Sequence, residues 1–180
     1  MIDKNEFKDI KTELENLEVQ REKTIQTSRE IIKLSKLIIY SIHRNNTSNT
    51  ESLIQEIKSK IKSIKNNEPT ASVAKQEYVE AITYYEIIKN KKLPTRKDLE
   101  VNTEDYLLGL ADLTGELVRK AVNEAINNNF DEVQKLKNIV ENLYGEFLQF
   151  NPRSSHLRKK IDSVRWNLQK LEELLLKRII

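Results

Sequence analysis

Two pairs of acidic residues carry most of the chemical potential in this chain. Glu77 and Glu80 stand three residues apart, and Asp112 and Glu116 stand four apart. On helices, each pair would therefore share a face. Both pairs lie in apolar surroundings: Val73, Tyr78, Val79, Ile82, Tyr84 and Ile87 around the first, and Tyr106, Leu110, Leu113, Leu117 and Ala121 around the second. Carboxylates on buried helices are costly unless they are paired, protonated or bound to a cation. If the two helices pack face to face, they create a four-carboxylate cluster. Oxygen-only ligands suit Mg²⁺ or Mn²⁺. Such a cluster could activate a water and stabilise the charge of a phosphodiester in transition, with an uncommitted carboxylate as general base. The ordinary alternative is that these acids pair with Lys75, Lys89, Arg119 or Lys120, or face solvent. Spacing leaves both readings open.

Other chemistries find little support. The chain has no cysteine, which excludes disulfides, thiol nucleophiles and zinc–thiolate sites. Its two histidines, His43 and His156, are far apart, which argues against a histidine-rich metal site. There is no Gly-x-Ser-x-Gly turn and no glycine-rich phosphate loop. With 31 Lys and Arg against 28 Asp and Glu, the net charge is only +3, so nucleic-acid binding would rest on a local patch. The row Arg21, Arg29, Lys36, His43 and Arg44 recurs at seven or eight residues, a solvated face or a track for an RNA backbone. His43 also suits a cap cation at a helix C-terminus.

The elements that must position these groups are helices. Glycine and proline are scarce at three each, and helix formers dominate, which predicts an all-α fold. A long first helix over about 5–43 begins with a heptad seam of Phe7, Ile10, Leu14 and Leu17. Its apolar face then drifts onto Ile25, Ile32 and Ile39, as when a helix leaves a single partner for a wider core. Thr50 would cap a second helix. Asn66 to Pro69 breaks the chain, Thr70 would cap a third helix to about Lys91, and 95–102 forms a turn or loop. Thr103 would cap the central helix, about 104–125. Two further helices follow, the last with a seam of Leu157, Ile161, Val164, Leu168, Leu171 and Leu175, and with Trp166 off that seam as a candidate interface anchor. Gly109 and Gly115 lie inside the central helix, at about 1 kcal/mol each against alanine, which predicts a close approach to its backbone. Residues 1–180 are expected to form one domain. The charged N-terminus and the lack of a long apolar run predict a cytoplasmic protein without a membrane span.

These residues resemble a known family, translin and translin-associated factor X. The stretch DYLLGLADLTGELVRKAVN, Asp105 to Asn123, is very similar to the signature helix of factor X, as is QEYVEA, Gln76 to Ala81. Arg21 to Arg44 looks like the family's basic N-terminal helix, and Leu157 to Leu175 fits its last helix. The resemblance implies about seven helices assembling into a closed homo-oligomeric shell, usually an octamer, with nucleic acid inside. In the factor X branch it implies a Mg²⁺-dependent endoribonuclease. Carried over onto this sequence, its acids are Glu77, Glu80, Asp112 and Glu116. Glu80, Asp112 and Glu116 are then expected to ligate Mg²⁺ or Mn²⁺, and Glu77 to orient or deprotonate the water. Arg21, Arg29, Lys36, His43, Arg44 and Arg119 are the expected phosphate contacts. A further acid of some members is Ala74 here, and translin's own arginine- and histidine-rich motif is not evident. The alternative function is a non-catalytic shell that binds RNA or single-stranded DNA.

Overall fold

The computed structural model describes residues 2–46, 48–64 and 68–176. Part of the predicted break at Asn66 to Pro69 lies outside these residues. Among them the regular structure is helical: α1 Lys4–His43, α2 Thr50–Lys62, α3 Ser72–Asn90, α4 Thr103–Ile126, α5 Phe130–Phe147 and α6 Ser155–Leu176, with one 3₁₀ turn at Pro69–Ala71. None of the helices is long and apolar enough to cross a membrane.

The caps correct three sequence expectations. Asn102, not Thr103, starts α4, its side-chain oxygen accepting from the Asp105 N–H at 2.9 Å. Asn49 rather than Thr50 is the first cap of α2, without a side-chain bond. Before α3, Glu68 accepts from the Thr70 backbone N–H at 3.4 Å, so Thr70 is capped rather than capping. Ser154 does cap α6, accepting from the Leu157 N–H at 3.3 Å.

The second half of α1 buries Ile31, Leu34, Ile38, Ile39 and Ile42 at helical spacing. Its first half carries Phe7, Ile10, Leu14 and Leu17, all exposed. Among the described residues the seam is left largely uncovered, with only Leu17 lining a cleft beside Ile64 and Thr70. Helix α3 is buried on nearly every side, between α1 and α4, while α4 also packs on α5 and α6.

Helices α3 and α4 run in the same direction. The Ser72 hydroxyl at the start of α3 donates to Asp105 at the start of α4, and the Val79 turn meets Gly109 further along. Parallel neighbours need a return path, which residues 91–102 supply as a non-helical connection that buries Leu99 and Val101. Tyr106 anchors this path by donating to the Pro94 carbonyl at 2.7 Å.

Glycine 109 is the tight point of the crossing. A Cβ there would stand 2.6 Å from Val79 Cβ and 2.7 Å from the Gln76 carbonyl oxygen. The predicted close approach therefore holds at Gly109. At Gly115 a Cβ would meet only Asn167 Nδ2, at 3.9 Å. The approaching body is α3 itself, which brings its Glu77–Glu80 turn against the Asp112 turn of α4.

Candidate metal and nucleic-acid site

Four helices contribute charged side chains to one partly buried region between them. Helix α3 presents Glu77 and Glu80, α4 presents Asp112 and Glu116, α1 brings His43, and α6 brings Lys160. Each acid is partly buried.

The four acids lie near enough for their charges to act on one another. Burial pushes Glu80 up to about 8, with the charges of Asp112, Glu77 and Glu116 adding to it and Lys160 opposing. Burial also raises Glu77, reinforced by Asp112 and Glu116 and opposed by Lys36 and Lys160. Glu116 moves the other way. A hydrogen bond from His43 Nε2, at 2.5 Å, holds it below the usual carboxylate range, assisted by Arg119 at 3.6 Å. His43 Nδ1 lies 3.3 Å from the Tyr84 hydroxyl, and the two rings stack with centroids 5.1 Å apart.

The pairing alternative is met only in part, and apart from Arg119 by partners that the spacing argument did not name. Lys89 pairs with Glu51 at 2.5 Å, Lys120 pairs with Glu124 at 2.7 Å, and the charges facing buried Lys75 are Asp105 and Glu68. Of the cations first considered, Arg119 alone reaches the cluster. Asp112 is instead paired with Lys160, from a helix 48 residues further on. A single lysine in a chain that is 33% charged carries no sequence signal of its own.

As the side chains lie, no group of three or more His, Cys, Asp or Glu among the described residues is arranged to hold a metal ion. Two of the four acids are turned to Lys160 and His43. The donor chemistry nonetheless suits a hard divalent cation: all four candidates are carboxylates, and burial first, then the charges of Asp112, Glu77 and Glu116, drive Glu80 toward protonation.

The basic row divides three ways. Arg21 lines a cleft between α1 and the 3₁₀ turn, beside Thr24, Glu68 and Thr70. His43 has a side chain only 4% exposed and is bonded to Glu116, so it lies apart from the exposed members of the row. Arg29, Lys36 and Arg44 remain on one exposed stripe with Lys33, Leu37 and Tyr40. The Arg44 guanidinium lies 5.0 Å above the Tyr40 ring. From Ile31 to Arg44 the sequence contains no acid, and no ion pair is formed by Arg29, Lys33, Lys36 or Arg44 among the described residues. Lys36 is the charge that connects this stripe to Glu77. Lys33 is among the basic residues that punctuate this helix in the sequence but falls outside the seven- or eight-residue row, and Tyr40 is not part of it; their three- and four-residue steps from Arg29, Lys36 and Arg44 are legible there. Trp166, the proposed anchor on α6, is 58% exposed beneath the Arg165 guanidinium.

Comparison with known proteins adds an independent line. The profile described as the Translin family matches residues 19–180. A translin-associated protein X homolog of Schizosaccharomyces pombe is 31% identical over 163 residues, which is 78% of this chain and 69% of that protein. A crystal structure described as apo-NeC3PO superposes with a TM-score of 0.87 at 30% identity, covering 98% of this chain and 97% of the other. A second, described as an AfC3PO–duplex RNA complex, gives a TM-score of 0.85 at 27% identity, covering 96% and 95%.

Proposed function

Because this chain belongs to the Translin family, we propose that it is a metal-dependent endoribonuclease that cuts RNA, preferring single-stranded regions, within a homo-oligomeric shell. The observation that carries the reading is the tight crossing of two parallel helices at Gly109, which sets Glu77 and Glu80 on the α3 turn that faces Asp112 and Glu116 on α4. Family membership supports it, as does the likeness to a structure whose description names duplex RNA.

In this reading Glu80, Asp112 and Glu116 would hold Mg²⁺ or Mn²⁺, which when bound acidifies water and offsets charge at phosphorus. Glu77 orients the attacking water or takes its proton. His43 keeps Glu116 ionised and fixes its orientation, and Tyr84 faces the other nitrogen of the ring. Arg29, Lys33, Lys36 and Arg44 lead the phosphate backbone along α1 toward Glu77, and Tyr40 offers a ring for a base to stack on. Arg119 is the expected phosphate contact on α4. Water attacking phosphorus leaves 5′-phosphate and 3′-hydroxyl ends. Attack by the RNA's own 2′-hydroxyl would leave a cyclic phosphate.

The exposed seam of Phe7, Ile10, Leu14 and Leu17 is what supports assembly with further copies, an octamer in this reading. The test is RNA cleavage by wild type, Glu80→Gln and Asp112→Asn, with the mass of each assembly measured alongside. Loss of cleavage at unchanged mass, and in EDTA, is expected. Cleavage that persists in EDTA would remove the metal mechanism. A second reading, a shell that binds RNA without cutting it, is favoured by the engagement of Asp112 and Glu116 with Lys160 and His43. It predicts intact RNA after incubation with Mg²⁺ or Mn²⁺.

A further inference from the structure

Lys160 is the one group at the acid cluster that comes from α6. Its ammonium is bonded to Asp112 and also offsets the charge of Glu77 and Glu80, so it bears on three of the four acids. Both side chains of the pair are 28% exposed, so the pair is open to solvent on one side. The helix that carries it is firmly seated. Val164 and Leu171 are fully buried, and the Asn167 amide donates to the Thr114 hydroxyl at 2.8 Å, tying α6 to α4. The lysine side chain can therefore leave while its backbone stays.

We propose that Lys160 is the resident cation of the acid cluster, holding Asp112 until a divalent ion displaces it. This inference rests on the reading that the cluster takes Mg²⁺ or Mn²⁺. An ammonium and a divalent ion cannot both occupy the same carboxylate edge, because like charges at contact range repel strongly in a half-buried site. Without the lysine, Asp112 would lose its bonded partner and face Glu77 and Glu80 with less compensation, so a built-in counter-ion steadies this edge of the site before loading. The cost is weaker apparent metal binding, since each ion must first evict the lysine.

The test is Mn²⁺ titration calorimetry on the full-length protein in its native assembly, comparing wild type with Lys160→Met, Lys160→Gln and Lys160→Arg. The two neutral variants should bind Mn²⁺ about tenfold more tightly, as expected for removing one competing charge. Lys160→Arg should stay near wild type. In EDTA the neutral variants should melt below wild type, and saturating Mn²⁺ should close the gap. In the unmutated protein, the rate at which Lys160 is acylated by an amine-reactive ester should rise when Mn²⁺ is added. If wild type binds Mn²⁺ but the neutral variants bind it equally or more weakly, or if acylation is unchanged, the inference is overturned and the metal reading stands. If none of the four proteins binds Mn²⁺, both are overturned.

Discussion

The Nε2 atom of His43 lies 2.5 Å from Oε2 of Glu116, a contact between residues 73 apart in the chain. It joins the C-terminal turn of α1 to the middle of α4 and depresses the carboxyl of Glu116. An acid lowered in the folded state stabilises that state above its unfolded value of 4.5, and the contribution disappears as pH falls through the folded value. Replacing His43 by Ala should therefore cost about 1–3 kcal/mol at neutral pH. The difference from wild type should shrink when both proteins are unfolded in progressively more acidic buffer. Mn²⁺ affinity should fall about 10- to 100-fold, the usual cost of losing a group that orients a ligand.

Glu80 titrates in the opposite sense. Its carboxyl ionises at about 4.5 in the unfolded chain and at about 8 in the fold. Below the lower value it is protonated in both states, and its stabilising effect is fully present. That effect drains away as pH rises through about 8. In metal-free buffer, Glu80→Gln should gain stability relative to wild type as pH is raised from 4.5 toward 9, by on the order of a few kcal/mol. Chemical denaturation across this range measures it, and a flat difference would show that Glu80 is not crowded by the other acids.

Gly109 and Gly145 separate two roles that the sequence alone cannot. Gly109→Ala should destabilise by about 1–3 kcal/mol, because the added methyl collides with Val79 and the Gln76 carbonyl. Gly145 has nothing within 4 Å of the position a Cβ would take. Gly145→Ala should therefore stabilise α5 by about 0.5–1 kcal/mol through lost backbone freedom. Thermal melts of the two variants give opposite signs if the tight crossing is real.

Tyr40 and its neighbours give a prediction about RNA. Tyr40→Ala should weaken binding of a short single-stranded RNA by about 1–3 kcal/mol, and Tyr40→Phe should retain it, since stacking needs the ring and not the hydroxyl. Lys36→Gln should instead reduce the salt dependence of binding by about one unit of slope. Fluorescence anisotropy at several salt concentrations distinguishes the two, using the Glu80→Gln protein to keep the RNA whole. Unaltered binding in both variants would move the RNA away from this face of α1.

The sequence by itself determined the helices and which residues share a face, because both follow from local periodicity of 3.6 residues. That is why Glu77 with Glu80, and Asp112 with Glu116, could be paired before any coordinates, and why the core of α3 was legible from its all-round apolar composition. It also held the family resemblance. What only the tertiary structure decided is which charges from distant helices complete the cluster. Lys160 and His43 reach the acids across 48 and 73 residues of chain; His43 stands out in the basic row and Lys160 does not, and nothing local assigns either of them to an acid. The same holds for the glycines: Gly109 and Gly115 look alike in sequence, and only the crossing of α3 over α4 makes one of them indispensable. Local periodicity orients a side chain relative to its own helix axis, whereas the identity of its partner depends on how separate helices pack.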